Sequence, residues 1–578
     1  MAPAATAKYD WILALTTIAF VFSAFGNGAN DVANAYATSV AARTLTMVQV
    51  GFLATCTEFL GAVALGSRVT DTIKNGIFNI ERFDGNPGAL MLAMGCAEVG
   101  NAVWLLTATR LGFPVSTTQT VVGSLIGVGF ASQAAITWRW TSGSISQIAS
   151  SWAIAPLLAG CFSAILFATL KYSVLERKDS FKWAMRMIPW YLGMTLGILT
   201  LFIVIEVPNG PDIDTEQGTI AGVILAVFFG VTIIGYVFFI PFFKAKLVRE
   251  DPRIRPWHIP LGPLLLRENP PLYFPGKGDE FVTNYYEDAY GEVHAGKKDE
   301  EKRFNGSPND TPETSLRDVK EADGTLRPND EHVIAASENT PAMRERKRKY
   351  LPPRERFIGP VEHLSWGNPR KWFGYFKYFL LHGVTIDAVT HDSDLLRAVH
   401  AKAHKYDVRV EHMWTYCQVV SAMMMSIAHG SNDVANAVGP WAAVYQTFRA
   451  GVVSTESPTP VWFLVVAGLL LGLGFWFFGY HIVRALGNKI TQMSPTRGFA
   501  IELGAAITVL LASRLGLPVS TTQCLTGAAL GVALMNYDLG AVNWRQMAYI
   551  FCGWVLTLPC AGLISGIILL LALNTPHF

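Results

Sequence analysis

Two nearly identical polar clusters lie inside apolar segments of this chain, and their duplication limits what the chain can fold into. The first cluster reads GANDVANA at residues 28–35, and the second reads GSNDVANA at residues 430–437, an offset of 402. A second pair of blocks follows, LGFPVSTTQTVVG at residues 111–123 and LGLPVSTTQCLTG at residues 515–527, an offset of 404. Because the blocks keep their order and spacing, the sequence predicts two copies of one structural unit.

The segments around these motifs are apolar enough to cross a membrane. The 578 residues are 51% hydrophobic and 16% charged, and most of the charge is concentrated in one central region. Runs at residues 221–239, 461–478 and 552–573 approach or exceed the roughly 20 residues that a spanning helix needs. The chain is therefore predicted to be an all-α, polytopic membrane protein in a lipid bilayer, and we expect no nucleic-acid partner.

About twelve apolar segments divide the chain into three parts. We predict a first membrane half at residues 1–241, a hydrophilic loop at 242–410 and a second membrane half at 411–578. Within the loop, residues 276–350 have the composition of a disordered segment. Residues 371–384, KWFGYFKYFLLHGV, mix bulky aromatics with lysines, which suits an amphipathic helix on the membrane surface. The predicted segments are 11–40, 44–66, 90–110, 114–131, 150–171, 183–205, 217–241, 411–445, 461–480, 498–513, 517–536 and 546–573.

Charge in the connecting loops predicts the orientation of the chain. Residues 171–186 and 244–255 are basic, whereas residues 206–216 are acidic. The positive-inside rule then places the large loop in the cytoplasm and both termini outside. We expect the membrane to be the plasma membrane. The sequons at Asn305 and Asn309 would lie on the cytoplasmic side and stay unused.

With five predicted crossings before the first basic loop and five after the large loop, the two repeats have opposite topology. This count places the first PVSTTQ block on the inner side of the membrane and the second on the outer side. Inverted repeats with interrupted helices near the midplane are typical of secondary transporters. A channel or an enzyme can also contain inverted repeats, so the pattern favours a transporter without excluding those classes.

The NDVANA cluster is the first candidate site. Asn30, Asp31 and Asn34 fall within one helical turn, and glycine and alanine beside them tolerate close packing or a break in the helix. An ionisable group at the centre of a span costs about 2.5–3.5 kcal/mol on insertion scales, so it normally faces an aqueous cavity or binds something. The alternative is an aspartate that a neighbouring helix satisfies for packing, and the second copy makes that less favourable.

The PVSTTQ block is the second candidate site. Pro114 and Pro518 are predicted in the first turn of a new helix, where a missing N–H is tolerated. The Ser, Thr, Thr and Gln that follow would form the opening turn, with free backbone N–H groups, hydroxyls and the positive end of the helix dipole. Such a turn is an anion site. The alternative is simple helix capping by the serine or a threonine.

The two motifs together indicate the cargo. Hard oxygen ligands without thiols or paired histidines suit Na⁺ rather than a transition metal. Carboxylates beside an anion site would repel a fully deprotonated oxyanion such as sulfate, but would accept hydrogen bonds from a protonated one. A site built in this way rejects an analogue that lacks the donor. Inorganic phosphate with a cation partner is therefore favoured over sulfate.

On these motifs the chain resembles the inorganic phosphate transporter family, solute carrier family 20, and most of all its fungal sodium/phosphate cotransporters. The resemblance covers both membrane halves, and it implies about twelve spans, Na⁺-coupled phosphate uptake and a homodimer. It also implies coupling roles for Glu58 (in CTEFLG) and Glu502 (in IELGAA) and implicates Ser116 and Ser520. The second copy departs from the first, because HGSND replaces GNGAND and places His429 where the first copy has Asn27.

A structural ion pair is the competing interpretation for two carboxylates. Glu98 aligns with Glu502, and Arg110 aligns with Arg514 in the same blocks. Either arginine could pair with the glutamate of its own copy. A functional role is therefore favoured for Glu58 and Glu502 and is less favoured for Glu98.

The predicted site residues fall into three groups, with no catalytic residue, no resident cofactor and Na⁺ as a co-transported ion. Phosphate is assigned to Asp31, Asn34, Ser116, Thr117, Thr118, Asp433, Asn436, Ser520, Thr521 and Thr522. Sodium is assigned to Asn30, Asp31, Asn34, Gln119, Asn432, Asp433, Asn436 and Gln523. Coupling is assigned to Glu58 and Glu502.

The predicted function is sodium-coupled import of inorganic phosphate by alternating access, and three alternatives stay open. A proton-coupled oxyanion permease is the nearest, because carboxylates also carry protons. A membrane-embedded phosphohydrolase would need a histidine or nucleophile near the oxyanion site, and His429 stands beside only one of the two motifs. A phosphate receptor with a vestigial site is the third. We expect a transporter and not an enzyme.

Overall fold

The computed structural model describes residues 4–75, 77–140, 144–206, 217–276, 284–286, 351–389, 393–453 and 458–575. The chain forms two compact units. The first, here called the membrane unit, comprises Met1–Tyr286 and His391–Phe578, and the second, here called the loop unit, comprises Glu287–Thr390. The described residues are almost wholly helical, with one isolated β-bridge between Phe78 and Ile136.

Sixteen α-helices of seven or more residues occur in the described part of the chain, and we number them in order. They are α1 Asp10–Ala41, α2 Met47–Leu65, α3 Ser67–Asn75, α4 Pro87–Leu111, α5 Thr117–Ala131, α6 Ile145–Leu170, α7 Ser180–Glu206, α8 Gln217–Ile234, α9 Pro369–Thr385, α10 Asp394–Lys402, α11 Val408–Ala450, α12 Val461–Phe478, α13 Tyr480–Leu486, α14 Pro495–Arg514, α15 Thr521–Leu534 and α16 Trp544–Asn574.

Each predicted apolar segment coincides with one of these helices, and the prediction of an all-α, polytopic membrane protein is confirmed. Nine helices in the described residues are long and apolar enough to cross a bilayer. Helix α11 is long but polar at its centre, and α5 and α15 have only 15 and 14 residues. The count of about twelve spans stays a prediction, as do the boundaries of the three predicted parts.

The helices of the two repeats pack into each other rather than side by side. Helices α1, α2, α4, α5 and α6 correspond in order to α11, α12, α14, α15 and α16. Helix α1 packs on α12 as α11 packs on α2, and α5 packs on α16 as α15 packs on α6. Small residues allow these close approaches, since Gly127 contacts the backbone of Gly562 and Gly531 contacts that of Gly160. Neither repeat can therefore bury its apolar faces alone.

The chain is interrupted at PVSTTQ and is continuous at NDVANA. Helix α4 ends at Leu111, and Gly112 after it has φ 73°, in the left-handed region that glycine favours; Gly516 has φ 68° after α14. Helices α5 and α15 begin only after Ser116 and Ser520. The prediction that Pro114 and Pro518 stand in a first helical turn is therefore wrong. Both prolines lie in the preceding linker, since the serines are the first residues able to cap the helices.

The sequence allowed either close packing or a break in the helix at NDVANA, and the described helices are continuous there. Helix α1 runs for 32 residues and α11 for 43 residues, each through its motif. The glycines instead allow close contact between helices, because a Cβ at Gly28 would meet the backbone of Leu471 and one at Gly430 would meet that of Glu58.

In the loop unit, residues 351–389 are described, and the amphipathic segment predicted at residues 371–384 is helical, within α9. The segment predicted to be disordered lies almost wholly outside the described residues, as do the sequons at Asn305 and Asn309 and residues 207–216 of the acidic loop.

Candidate functional site

The centre of the membrane unit holds the first aspartate between helix starts of both repeats. Asp31 accepts hydrogen bonds from the Thr117 hydroxyl at 2.6 Å and the Thr117 backbone N–H at 3.2 Å. Its other oxygen accepts from the Thr522 hydroxyl at 2.9 Å and from Asn34 Nδ2 at 3.2 Å. Its carboxylate, 1% exposed, is thus held by donors from α5 and α15 together.

The second aspartate repeats this arrangement in part. Asp433 accepts hydrogen bonds from the Thr521 hydroxyl at 2.7 Å and from Asn436 Nδ2 at 3.4 Å. The backbone carbonyl of the same residue accepts from Asn27 Nδ2 at 2.7 Å. A ring nitrogen of His429 lies 3.0 Å from its carboxylate. The first cluster has an asparagine in place of that histidine, so the two half-sites differ here.

The amides of the two motifs cross from one repeat to the other. Asn34 of the first repeat donates to the Thr522 hydroxyl at 2.8 Å and to the Thr521 hydroxyl at 3.4 Å. Asn436 of the second repeat donates to the hydroxyls of Thr117 at 2.9 Å and Thr118 at 3.2 Å. The eight polar residues that share this arrangement form the central cluster, which is buried throughout: Asp31, Asn34, Thr117, Thr118, Asp433, Asn436, Thr521 and Thr522.

Asn27 Oδ1, which has no amide counterpart in the second copy, is buried without a hydrogen-bond partner in the described structure, and so are four further amide oxygens near the motifs. These four form two repeat-related pairs, the Oδ1 atoms of Asn34 and Asn436 and the Oε1 atoms of Gln119 and Gln523. A buried carbonyl oxygen without a donor is costly. Because the same atoms are left over in both copies, a bound cation is a consistent explanation. Na⁺ takes oxygen ligands of this kind.

Three further groups could also hold a cation. Oxygens of Asp31 and Asp433 and a ring nitrogen of His429 lie within 4.8 Å of one another, and all three residues are buried. Two carboxylates so close together repel each other unless a positive charge or a proton lies between them. The arrangement therefore favours a cation, or a protonated ligand, at the centre of the cluster.

Not every predicted ligand faces this cluster. Asn30 donates to the Thr109 hydroxyl at 2.9 Å and to the Phe113 carbonyl at 3.1 Å, and it accepts from the Val115 backbone N–H at 3.2 Å. Asn432 makes the matching contacts to Ser513, Leu517 and Val519, at 3.1–3.2 Å. These two amides fasten the PVSTTQ linkers to α1 and α11. Their assigned role as sodium ligands stays a prediction.

The two serines of the PVSTTQ blocks serve as helix caps. The Ser116 hydroxyl accepts from the Gln119 backbone N–H at 3.1 Å, and the Ser520 hydroxyl accepts from that of Gln523 at 3.3 Å. This is the capping interpretation that the sequence left open. It applies to the serines and not to the threonines after them, whose hydroxyls point into the central cluster. Phosphate contacts by the serines stay a prediction.

Glu58 extends the second half-site through a chain of buried polar groups. One Glu58 oxygen lies 2.6 Å from His429 Nδ1, and the other accepts from the Ser426 hydroxyl at 2.5 Å. The Ser426 hydroxyl in turn accepts from that of Thr57 at 2.7 Å. Because the other ring nitrogen of His429 contacts Asp433, one imidazole connects Glu58 to the central cluster. The sequence singled out Glu58 and, separately, the departure at His429, but not their contact.

Glu502 lies in a ring of neutral donors outside the central cluster. One oxygen accepts from the hydroxyls of Thr38 and Ser39, both at 2.6 Å, and from Gln418 Nε2 at 3.2 Å. The other accepts from the Ser421 hydroxyl at 2.6 Å. Hydroxyls and an amide thus stabilise this carboxylate, rather than an ion pair within its own helix. Sequence reasoning missed the four donors, since none of them belongs to a repeated motif.

Glu98 has quite different surroundings. Both of its carboxyl oxygens are buried without a hydrogen-bond partner in the described structure, although Ser23 is close to them. The Ser23 hydroxyl accepts from Asn101 Nδ2 at 2.7 Å. The proposed pairing with Arg110 is absent from the ion pairs of the described residues, and the Arg110 side chain is exposed. Among the described residues, the Ser23 hydroxyl is therefore the nearby group that can partly compensate the burial of this carboxyl group, and no ring of donors surrounds it.

The arrangement is suited to binding an ion and an oxyanion away from water. Hydroxyls and helix starts supply hydrogen-bond donors, the aspartates accept protons or bind a cation, and the unpaired amide oxygens are cation ligands. Every member of the central cluster is buried, so the chain must move for a ligand to enter or leave. Ligand binding that is coupled to such a conformational change is typical of a carrier protein.

Comparisons with known proteins agree with this arrangement. A family model described as the phosphate transporter family matches residues 27–565. The chain is 37% identical, over 99% of both chains, to a phosphate-repressible phosphate permease of Neurospora crassa. It is 27% identical to sodium-dependent phosphate transporter 1 of Rattus norvegicus, over 97% of this chain and 95% of that one.

A solved structure covers nearly the same extent. It is described as the sodium-dependent phosphate transporter, is 25% identical, and superposes with a TM-score of 0.58 over 98% of this chain and 100% of that one. Both repeated motifs and the central cluster fall inside the region that the family model matches. The chain belongs to the phosphate transporter family.

Proposed function

We propose that the protein imports inorganic phosphate together with Na⁺, by alternating access to the central cluster. The main observation in support is that each repeat completes the half-site of the other. Asn34 donates to Thr521 and Thr522, and Asn436 donates to Thr117 and Thr118. A relative motion of the two repeats would therefore break and remake the site. The names of the relatives, which include sodium-dependent transporters and a phosphate permease, support the same cargo.

Phosphate binds where the hydroxyls of Thr117, Thr521 and Thr522 now donate to the aspartates and that of Thr118 donates to the Val519 carbonyl. In this proposal the hydroxyls of Thr117, Thr118, Thr521 and Thr522 turn from protein acceptors to phosphate oxygens, helped by the backbone N–H groups at the starts of α5 and α15. Asp31 and Asp433 accept the protons of the phosphate. Sulfate lacks those protons at neutral pH and would face two carboxylates without a donor, so the site discriminates against it.

Sodium binds at the amide and carboxylate oxygens of the same residues. The unpaired oxygens of Asn34, Asn436, Gln119 and Gln523 support this assignment, because they lie in both halves and have no donor. Na⁺ beside Asp31 and Asp433 also lowers the repulsion between the carboxylates and phosphate. Each net positive charge that enters the cell gains about 2.3 kcal/mol per 100 mV of membrane potential. A surplus of sodium charge would therefore drive accumulation.

The transporter is proposed as a multi-pass plasma-membrane protein with inverted repeats, extracellular termini and a cytoplasmic loop unit. The basic loops at residues 171–186 and 244–255 support that orientation. A homodimer is expected from the family resemblance. Transport rather than catalysis is the proposed activity, because His429, the histidine that contacts Asp433, lies between two carboxylates and has no counterpart in the other half-site.

Proton coupling is the second candidate, and one observation favours it. Glu58, His429 and Asp433 form a continuous buried chain of titratable groups that ends in the central cluster. Such a chain could carry a proton in place of Na⁺ or beside it.

Uptake of radioactive phosphate into proteoliposomes tests the proposal, with the Na⁺ gradient, the pH gradient and the voltage imposed separately. We expect accumulation with an inward Na⁺ gradient alone and its loss when choline replaces Na⁺. Accumulation that follows the pH gradient and ignores choline would instead support the proton-coupled permease. Phosphate binding without accumulation under any gradient would support a receptor.

A further inference from the structure

The loop unit presents a continuous stripe of large apolar side chains to the solvent. On α9, Trp372, Phe373, Phe376, Phe379 and Leu380 are 61%, 58%, 57%, 67% and 39% exposed. At 3.6 residues per turn these five positions cover about 120° of the helix surface. Contiguous exposed apolar patches of this kind mark sites of interaction with a membrane or a protein.

The opposite face of α9 is packed and explains why the stripe points outward. Gly374 lies against Val361 and the backbone of Phe357, so closely that a Cβ there would meet Val361 at 2.5 Å. The Lys371 ammonium is buried in the preceding turn, where it donates to the carbonyls of Glu362 at 3.2 Å and Leu364 at 2.8 Å. These contacts fix the rotation of the helix about its axis, and the aromatic stripe cannot turn inward without breaking them.

The residues that border the stripe indicate what covers it. Arg370 and Lys377 are exposed beside the aromatic positions, and the Lys377 ammonium lies 4.3 Å from the ring centre of Phe373. Trp366 stands just before the helix, 57% exposed, with Trp372 donating to its carbonyl at 2.8 Å. Tryptophan and phenylalanine bordered by basic side chains are typical of helices that lie in the headgroup region of a bilayer.

The position of the loop unit in the chain favours a membrane over a soluble partner. The unit lies between Tyr286 and His391 of the membrane unit, and the nearest candidate spans in the described residues end at Val248 before it and begin at Val461 after it. After α9 ends at Thr385, only eight residues separate it from α10 of the membrane unit. This tether holds a bilayer at high effective concentration, whereas a separate protein would have to be captured from solution.

We propose that α9 binds the membrane surface, with its aromatic stripe at the boundary between headgroups and acyl chains. Arg370 and Lys377 contact the phosphates and carboxylates of anionic lipids. The helix is an interfacial anchor of the loop unit, in addition to the spanning helices. This inference does not depend on which ion or anion the protein transports.

Photo-crosslinking of the full-length chain in nanodiscs tests this proposal. The variant Phe376→p-benzoylphenylalanine places a photoreactive group in the middle of the stripe. Leu157, which is 71% exposed on the predicted span α6, gives the matched position for lipid contact. His363, exposed in the turn before α9, gives the matched position away from the stripe. Discs contain phosphatidylcholine alone or phosphatidylcholine with phosphatidylserine, and mass spectrometry identifies the adducts.

We expect phospholipid adducts at positions 376 and 157, with a severalfold lower yield at position 363. The yield at 376 is expected to rise when phosphatidylserine is present, and this increase should disappear in a variant that also carries Arg370→Gln and Lys377→Gln. A peptide adduct at position 376, from this chain or from a second copy, would overturn the proposal. So would the absence of lipid adducts at 376 when position 157 gives them.

Discussion

The two repeats meet their neighbours at matching places but with different chemistry. Gly28 of α1 packs on the backbone of Leu471 in α12, whereas Gly430 of α11 packs on the backbone of Glu58 in α2. Gly61 of α2 and Gly474 of α12 make a second matching pair of contacts, with Ile427 and Phe25, at the same spacings along the chain. Glu58 therefore occupies in one half the place of Leu471 in the other.

The two repeats also differ just before the NDVANA motif. His429, which connects Glu58 to Asp433, corresponds to Asn27 in the first repeat. The buried chain of titratable groups thus exists in one half only. The threonines, aspartates and asparagines of the central cluster, by contrast, are the same in both halves.

The aligned glutamates of α4 and α14 show the difference most clearly. Glu502 accepts four hydrogen bonds, and its donors include Thr38, Ser39 and Ser421. The residues at the offset of 402 from these three are Pro440, Trp441 and Ala19. Of these, only Trp441 has a side-chain hydrogen-bond donor, its indole N–H. That indole donates to Thr17 at 3.1 Å. Glu98 therefore lacks the polar ring that surrounds Glu502.

The repeats share the residues of the central cluster but differ in the glutamates around it. The central cluster stays symmetric because both halves contribute to a single site, whereas the glutamates around it do not share that constraint. A buried carboxylate is tolerated only where donors or a cation compensate its lost hydration. Glu58 and Glu502 have such partners, whereas Leu471 takes the place of Glu58 in the other half and Glu98 has fewer polar neighbours than Glu502 among the described residues.

Breaking the Glu58–His429 contact should have the largest effect on stability. The variant Glu58→Leu introduces the residue of the other half and leaves His429 buried beside an apolar group. Removing one partner of a buried pair costs about 3–5 kcal/mol. The double variant with His429→Asn restores the pairing of the first repeat and should recover about 0.5–3 kcal/mol. Thermal unfolding of the four proteins in one detergent measures this coupling, and strictly additive losses would contradict it.

Removing the charge of a central aspartate should abolish most transport in either half. Hydrogen bonds to charged groups contribute about 1.5–3 kcal/mol, which corresponds to roughly 10–150-fold in affinity or rate. Asp31→Asn and Asp433→Asn are each expected to lower sodium-dependent phosphate uptake by this factor at normal surface expression. Near-normal uptake by Asp31→Asn would refute the role assigned to the cluster.

The aligned glutamates should respond differently to the same substitution. Glu502→Gln places an amide N–H₂ among four donors and should destabilise the protein by about 1–3 kcal/mol. Glu98→Gln removes a buried carboxyl group that has only the Ser23 hydroxyl near it among the described residues, and it should be neutral or stabilising. Each variant is the control for the other, in thermal unfolding and in phosphate uptake. Equal losses would show that the two surroundings are equivalent after all.

The asparagines that fasten the PVSTTQ linkers should behave alike. Asn30→Ala and Asn432→Ala each remove contacts to one linker, with an expected loss of about 1–2 kcal/mol of stability. The apparent affinity for phosphate should fall in both, because the threonines that follow lose their position. A large difference between the two variants would show that only one helix start binds the ligand.

The smallest expected effect concerns the first turn of α11, where the two repeats also differ. The Tyr286 hydroxyl donates to Glu411 at 2.6 Å and accepts from the Tyr406 backbone N–H at 3.2 Å. Glu411 corresponds to Tyr9 in the first repeat. Tyr286→Phe should cost about 0.5–1.5 kcal/mol of stability.

Alkaline pH tests the same contact. Burial and the nearby Glu411 carboxylate raise the pKa of the Tyr286 hydroxyl well above its usual value of 10.0. The unfolded chain therefore loses this proton at lower pH than the folded protein does. The stabilisation by the neutral hydroxyl is complete below about pH 10 and is lost as the pH rises further. Unfolding of Tyr286→Phe should depend less on pH above that value, and an unchanged dependence would contradict the assignment.

Much of this molecule could be predicted from its sequence, because the strongest signals are local. Apolar runs of about 20 residues define the spans, and the duplicated motifs identify Asp31, Asp433 and the four threonines as one set. The left-handed glycines and the serine caps of the PVSTTQ blocks are also local features. The placement of Pro114 was predicted wrongly because a proline suits both a first helical turn and the linker before it.

The tertiary structure alone decided which residues meet across the repeats. Asn34 reaches threonines almost 490 positions away along the chain, and Glu502 is held by donors from α1 and α11 that no motif includes. Sequence patterns report the period and chemistry of single segments, whereas these contacts depend on how the helices of one repeat pack between those of the other. The sequence therefore determined the composition of the site, and helix packing determined that each half is completed by its counterpart.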